Sequence, residues 1–363
     1  MIRKFLNLAA KSGFGESLLL AIAKAAGNAR ATNRAKPEAG IAREIDAVYL
    51  WVDDQDEKWR AKRAQFRPTS ETTVATAAAR FRQFDELLYS IALLAKNAPF
   101  ISTVFIVVDD QKPELSRIAD QLPFEVRVVN HSEFMPEEFL PTFNSRSITA
   151  NLHRIEGLSE RFLYCNDDVF VAAPSKLTDW FKGDQLQLRF TNTKFPELST
   201  LAANEVLYRA RWKAVDLARK QGWQVSDRMP EHAPYPLTKS ILAELWKLFP
   251  AEMELVGRSK FRTSEAILPE LLGYYLAMGT NRAGFVETSS YKYVPMNDVR
   301  GIAPILDLAL KPNSFLTVSL NDVSEVDARY LLGGAKLSKR YSRTLRMLAE
   351  RVESKIVEKP KES

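Results

Sequence analysis

The stretch Phe162-Leu-Tyr-Cys-Asn-Asp-Asp-Val-Phe170 decides the fold, because an apolar run leads into two carboxylates and then becomes apolar again. The pattern predicts a buried strand whose carboxyl end carries Asp167 and Asp168. Side chains at the carboxyl ends of parallel strands border the crevice where α/β proteins bind ligands. Two carboxylates there suit Mg²⁺ or Mn²⁺ that also holds a substrate diphosphate. The alternative is that one aspartate caps a turn and the other faces water.

Further buried strands are predicted, and several of them also end in acids or in Asn and His. The predicted strands and their following residues are 45–52 with Asp53, 103–108 with Asp109-Asp110, 125–129 with Asn130-His131, and 315–320 with Asn321-Asp322. Helical spacing is found at 80–97, 113–122, 147–155, 201–221, 239–249 and 267–278. This alternation predicts an α/β fold with a mainly parallel sheet, flanking helices and a mostly helical C-terminal part.

The composition bounds the class of protein. The chain has 363 residues, 46% of them hydrophobic, which is enough for one large domain or two modest ones with a core. The net charge of +6 is diffuse and accompanies no aromatic array, which argues against a nucleic-acid-binding protein. Cys165 is the only cysteine, so no intrachain disulfide is expected and a reducing compartment is indicated. Neither a dinucleotide fingerprint nor a P-loop motif is present.

Both ends of the chain are basic. Residues 1–44 are interpreted as an amphipathic helix followed by a polar linker, and residues 326–363 as a basic helical tail. Contact with an anionic membrane surface and packing against the protein are both compatible with these patterns. No signal peptide and no apolar run of membrane-spanning length is recognised, so a cytoplasmic protein is expected, either free or peripheral on the inner face of the membrane.

Four ordered blocks resemble the Stealth family over about residues 45–325, which are therefore interpreted as a catalytic domain. The first block is similar to Ile45–Asp53. The second is similar to Phe84–Ser90, Asn97–Phe100, Leu140–Ser145, Asn151–Ile155 and Phe162–Phe170. The third is similar to His232–Ser240 and Phe261-Arg262, and the fourth to Ser319–Asp322.

The resemblance implies a nucleotide-binding domain similar to GT-A glycosyltransferases. It also implies transfer of a hexose or hexosamine 1-phosphate, here expected to be GlcNAc-1-phosphate, from a UDP-sugar to a hydroxyl of a glycan or polysaccharide. UMP would leave, a phosphodiester would form, and Mg²⁺ (or Mn²⁺) would assist, in capsular or exopolysaccharide synthesis. The alternatives are a GT-A-type enzyme that moves the sugar alone and releases UDP, and a non-catalytic carbohydrate-binding subunit.

The predicted site combines strand-end acids with residues of the later blocks. The expected catalytic residues are Asp53, Asp168, His232 and Arg262, and the expected metal ligands are Asp53, Asp167 and Asp168. The expected substrate-binding residues are Arg82, Asp85, Asn144, His153, Arg154, Asn321 and Asp322. His232 lies in a proline-rich turn and titrates near neutrality, which suits a general base or a hydrogen-bond donor to phosphate. Arg262 precedes a helix and can bind phosphate oxygens through two N–H groups.

Overall fold

The computed structural model describes residues 45–67, 86–202, 205–286, 290–295 and 315–321. The helix and linker predicted for 1–44 and the tail predicted for 326–363 lie outside these ranges, as do Arg82, Asp85 and Asp322. None of the helices within the ranges combines the length and the apolar character needed to cross a membrane.

The described strands alternate with helices through the first half and cluster as short segments later. The strands are β1 Ile45–Leu50, β2 Ile101–Val108, β3 Glu125–Asn130, β4 Arg161–Asn166, β5 Val169–Val171, β6 Phe181–Lys182, β7 Gln185–Leu188, β8 Phe190–Lys194, β9 Arg228–Pro230, β10 Tyr235–Thr238, β11 Ala283–Phe285, β12 Tyr291–Pro295 and β13 Thr317–Asn321. The α-helices are α1 Glu57–Phe66, α2 Glu86–Asn97, α3 His131–Phe134, α4 Ser145–Asn151, α5 Val206–Lys220, α6 Lys239–Leu248, α7 Pro250–Arg258 and α8 Pro269–Gly279.

The main sheet has the strand order β10-β4-β1-β2-β3. The pairs β4–β1, β1–β2 and β2–β3 are parallel, whereas β10 runs antiparallel to β4. The central strand β1 is buried along almost its whole length because helices cover both faces of the sheet, as its continuous apolar sequence indicates. The α/β class, the mainly parallel sheet and the flanking helices are therefore confirmed.

A second, smaller sheet meets the main one within the stretch Phe162–Phe170, where β4 ends and β5 begins. After β4 the chain turns at Asp167 and Asp168 and continues as β5, which pairs antiparallel with β13. The backbone N–H of Leu320 on β13 donates to the carbonyl of Asp168 at 2.9 Å. The two aspartates thus occupy a corner whose backbone is fixed from both sheets.

Two sequence expectations about the elements were wrong or incomplete. Residues 113–122 contain only a single 3-10 turn, Ala119–Gln121, instead of a helix, because so short a segment rarely supports the cost of helix nucleation. The C-terminal part contains the helices α6, α7 and α8 but also the strands β11 to β13. Strands of two to five residues carry too few alternations to be recognised from sequence.

Candidate active site at the carboxyl edge of the main sheet

The topology brings residues from distant parts of the chain to one edge of the main sheet. Leu50 of β1 pairs with Asn166 of β4 in parallel register, so the segments that follow both strands leave the sheet side by side. Because β10 is antiparallel, its first residue, Tyr235, pairs with Tyr164 near the same edge. The turn before β10, which carries His232, therefore reaches the aspartates that follow β4.

His232 and Asp168 form a hydrogen-bonded pair at this edge. The Nε2 atom of His232 lies 3.1 Å from Oδ1 and 3.0 Å from Oδ2 of Asp168, and the two side chains are 29% and 20% exposed. Burial acts to lower the pKa of His232, but the charge of Asp168 and its hydrogen bond outweigh burial and raise that pKa above its ordinary value. A carboxylate on Nε2 favours the tautomer with the proton there and leaves Nδ1 able to accept one.

Asp167 is the second carboxylate of the corner and is held in a less polar setting. Its Oδ1 accepts a hydrogen bond from the backbone N–H of Asp168 at 3.1 Å. Burial, and then the negative charge of Asp168, raise the pKa of Asp167 to about 7. The corner thus holds two adjacent carboxyl groups, and a bound cation would offset the repulsion between their negative charges.

Arg262 is the predicted phosphate ligand, and the structure places its charge within reach of Asp168. Its Nη2 donates to the Oγ of Ser145 at 2.6 Å. Burial lowers the pKa of Arg262, while the nearby Tyr164, Glu270 and Asp168 act in the opposite direction. His232, Asp168 and Arg262, predicted as catalytic, therefore share one electrostatic neighbourhood.

Asp53 lies at the same edge but is occupied by local hydrogen bonds. Its Oδ1 accepts from the backbone N–H of Gln55 at 2.9 Å, and its backbone N–H and carbonyl both bond the side-chain amide of Gln111. Within the ranges that the structure covers, no three His, Cys, Asp or Glu side chains are grouped closely enough to hold a metal ion. Asp53 is therefore not grouped with Asp167 and Asp168 in the described ranges, and the predicted metal site stays a prediction.

The side chain of Asn144 is buried and bonds the backbone of segments that form the site, instead of lining the site. The residue is 0% exposed, its Nδ2 donates to the carbonyls of Ser259 and Phe261, and its Oδ1 accepts from the N–H of Arg146. These bonds cap α4 and hold the loop that carries Arg262. The structure thus corrects the expectation that Asn144 contacts substrate directly, since its polar atoms are used inside the protein.

His153 and Arg154 are not part of this edge, which corrects a second expectation. They follow α4, which carries the chain back toward the amino end of β4. Arg154 lies over the ring of Trp246, 5.3 Å from its centroid, on the face covered by α6. Burial, followed by the charge of Arg154, lowers the pKa of His153 to about 4, as expected for a neutral packing histidine. Asn321 ends β13 in register with Pro295.

Three charged residues beside the site were missed in the sequence. Arg146 is 4% exposed and donates to the carbonyls of Thr263 and Val206. Arg211 is also buried, and Glu270 lies close enough for its charge to act on both arginines. One signal was available for Arg211, because it falls on the otherwise apolar face of α5.

Three family models match the chain. The Stealth protein conserved region 1 matches residues 43–71, conserved region 2 matches 80–189 and conserved region 3 matches 231–276. Regions 2 and 3 contribute the two members of the His232–Asp168 pair. The chain belongs to the Stealth family. The predicted first three blocks are thereby confirmed, and the fourth, at Ser319–Asp322, stays a prediction.

Relatives of this Stealth chain carry names from surface polysaccharide synthesis. It is 35% identical over 223 residues to the capsular polysaccharide phosphotransferase fcs1 of Haemophilus influenzae, with 60% of each chain covered. It is 35% identical over 227 residues to the capsular polysaccharide phosphotransferase LcbA of Aeromonas hydrophila, with 61% of each covered. The Stealth chain thus spans about three-fifths of the length of these curated relatives.

Among solved structures, the Stealth chain is similar to the GT-A galactosyltransferase LgtC, crystallised with donor and acceptor sugar analogues. The identity is 11%, the TM-score is 0.41, and the match covers 83% of this chain and 95% of LgtC.

Proposed function

We propose that the protein transfers a sugar 1-phosphate from a nucleotide diphosphate sugar to a hydroxyl group of a glycan. The observation that carries the proposal is the hydrogen-bonded pair of His232 and Asp168, with Arg262 beside it, at the carboxyl edge of the sheet. Family membership and the phosphotransferase names of the relatives support the same reaction class.

His232 would act as the general base for the acceptor hydroxyl. Asp168 holds the ring through Nε2, so Nδ1 is the nitrogen free to take the hydroxyl proton. Asp168 also stabilises the imidazolium that forms, in accordance with the raised pKa of His232. The pair therefore supplies both the proton acceptor and the charge that keeps it oriented.

The reaction then exchanges one phosphorus–oxygen bond for another. The acceptor oxygen forms a bond to the β-phosphorus of the donor, and the bond from that phosphorus to the bridging oxygen breaks. The bridging electron pair leaves with UMP, the hydroxyl proton passes to His232, and the sugar stays on the transferred phosphate. Arg262 would bind the non-bridging oxygens and stabilise the charge that develops on them.

We further propose that Mg²⁺ or Mn²⁺ binds at the corner formed by Asp167 and Asp168. The raised pKa of Asp167 fits an added positive charge, and two carboxylates suffice when substrate phosphate oxygens and water complete the ligand set. When bound, the ion would supply further charge neutralisation on the diphosphate. Asp53 lies at the same edge of the sheet and would not itself be a ligand of this ion.

The proposed donor is a UDP-hexosamine such as UDP-GlcNAc, and the proposed acceptor is a capsular or exopolysaccharide chain. The names of the relatives support the acceptor class, and the donor follows from the family resemblance. The proposed location is the cytoplasm, with the basic segments 1–30 and 326–363 as membrane contacts.

The nucleotide product tests the proposal. Protein incubated with Mg²⁺, a UDP-sugar labelled in both phosphates and a polysaccharide acceptor is expected to release UMP and leave one labelled phosphate in the polymer. UDP as the sole nucleotide product would instead identify a transferase of the sugar alone. The Asp184→Asn variant, altered at an exposed turn residue, serves as the active control beside Asp168→Asn.

A further inference from the structure

Arginine side chains lie close enough to the His232–Asp168 pair for the charges of Arg211 and Arg262 to act on His232. Tyr164 and Tyr235 pair in register on β4 and β10, and their rings stack with centroids 5.8 Å apart. The charges of Arg262 and Tyr164 act on each other, as do those of Arg211 and Tyr235, so both guanidinium groups lie near this tyrosine pair. The charge of Glu270 acts on both tyrosines.

Arg146 connects the segment that carries Arg262 to the helix that carries Arg211. One guanidinium nitrogen donates to the carbonyl of Thr263 at 2.9 Å, next to Arg262 in the chain, and the other donates to the carbonyl of Val206 at 3.4 Å, in the first turn of α5. Arg211 follows on the same helix. The separation of Arg262 from Arg211 is therefore set by a buried hydrogen-bonded link.

Among the described residues, no polar partner accounts for the burial of Arg211. It is 8% exposed, and its Nε and one Nη atom have no hydrogen-bond partner among the residues with described positions. Its guanidinium lies over the rings of Tyr208 and Phe195, at 5.5 and 5.8 Å from their centroids. Aromatic contacts stabilise a cation but leave its N–H groups unused, and such groups are costly to bury.

The buried arginines near the site also repel one another. The charges of Arg146, Arg211 and Arg262 all act on the carboxylate of Glu270, and no ion pair joins it to any of them over the described part of the chain. Asp168 is a second carboxylate whose charge acts on Arg262. The arginines instead lower one another's pKa: burial, followed by Arg262, lowers that of Arg146 to about 9. An anionic ligand would offset the mutual repulsion of these buried arginines.

We propose that Arg211 is a further substrate-binding residue and that, with Arg262, it lines a subsite for a phosphate or diphosphate group. The identity of the substrate in this inference rests on the proposed function. The anionic character of the ligand rests on the unpaired, buried guanidinium N–H groups of Arg211. Arginine suits this task because its N–H groups can bind two phosphate oxygens at once. Arg211 lies between the matched regions 80–189 and 231–276, so no family model includes it.

Calorimetric titration of the full chain with inorganic pyrophosphate, in EDTA, tests the subsite without turnover. Arg211→Met, which keeps an unbranched apolar stem without the guanidinium group, is expected to weaken pyrophosphate binding by about tenfold to 100-fold, as for loss of a charge-assisted hydrogen bond. Its melting temperature is expected to stay equal or rise, because an unpartnered buried cation is removed. Unchanged affinity in the folded variant would overturn the proposal.

Two further variants make the result specific. Arg219→Met removes an exposed arginine of the same helix that also lies over an aromatic ring, and it is expected to bind pyrophosphate like the wild type. Arg211→Lys keeps the charge without the paired N–H groups and is expected to lose several-fold in affinity. If Arg211→Met does not fold, this lysine variant decides, and wild-type affinity in it would overturn the proposal.

Two ligands then distinguish the source of the phosphate. Weaker binding of UDP to Arg211→Met assigns the subsite to the donor diphosphate, whereas weaker binding of a hexose 6-phosphate alone assigns it to a phosphate on the acceptor. If Arg211→Met binds both UDP and the hexose 6-phosphate as tightly as the wild type, the inference is overturned. Because binding is measured without catalysis, a protein that binds pyrophosphate through Arg211 but never releases UMP would refute the proposed function and leave this subsite intact.

Discussion

The Nε2 atom of His232 lies 3.0 Å from Asp168, although 64 positions separate the two residues in the chain. The contact exists because β10 runs antiparallel to β4, which returns the proline-rich turn to the edge where β4 ends. A parallel β10 would carry His232 to the opposite edge. The direction of one edge strand therefore brings His232 and Asp168 together.

Asp168→Asn is expected to lower the rate of UMP release by on the order of 100-fold or more, because the amide no longer stabilises the imidazolium of His232. The melting temperature should change little, since the 2.9 Å backbone bond from Leu320 to residue 168 is retained. Single-turnover rates and thermal unfolding measured side by side check this. An Asn variant with wild-type turnover would remove the pair from the mechanism.

Chelation with EDTA is expected to abolish UMP release, and added Mg²⁺ should restore it. Asp167→Asn should raise the Mg²⁺ concentration needed for half-maximal activity by roughly tenfold or more, on the scale of the losses seen when metal sites are perturbed. Asp53→Asn is the matched comparison and should cause a smaller shift, because its carboxylate is engaged with Gln55. Equal shifts in the two variants would contradict the two-carboxylate site.

Much of this edge could be predicted from sequence, for a physical reason. The β1, β2 and β4 segments are continuous apolar runs that only a sheet covered on both faces can bury, and each is followed closely by acids. Parallel strands align their carboxyl ends, so Asp53 and Asp167 had to lie at one edge. Local periodicity was sufficient for that conclusion.

The remainder depended on long-range pairing that no local pattern contains. Neither the direction of β10 nor the return of α4 to the far edge can be inferred from residue spacing, so His153 was predicted to bind substrate alongside the catalytic His232. Arg211 and Glu270 were missed because a charged residue in a helix is usually solvated. The burial of Arg211 and the half-buried position of Glu270 follow from the packing of α5 against α8, which only the tertiary structure shows.

Ser145→Ala is expected to raise the KM for the nucleotide sugar by roughly tenfold while changing kcat less, because the hydroxyl accepts a 2.6 Å bond that orients Arg262. A change confined to KM would mark Ser145 as a positioning residue for donor binding. Ser240→Ala, at the opposite edge of the sheet, should leave both constants unchanged. Steady-state kinetics that show no difference between the two variants would contradict this role.

Acid stability is expected to depend on His131, a 6% exposed residue at the start of α3. Burial lowers its pKa from 6.5 to about 4, so the unfolded chain takes up the proton first. The contribution of the neutral histidine is complete above pH 6.5 and is lost as the pH falls toward 4. By pH 5 the loss is about 2 kcal/mol in the free energy of unfolding.

His131→Leu removes this titration while keeping an apolar side chain of similar size. Denaturant unfolding at pH 7.5 and pH 5 should show a fall in stability that is about 2 kcal/mol smaller in the variant than in the wild type. Tyr49→Phe, which deletes a buried hydroxyl bonded to Ser90, is the control: it should lower stability by about 1 kcal/mol equally at both pH values. Equal acid sensitivity of His131→Leu and wild type would show that His131 is protonated in the folded protein.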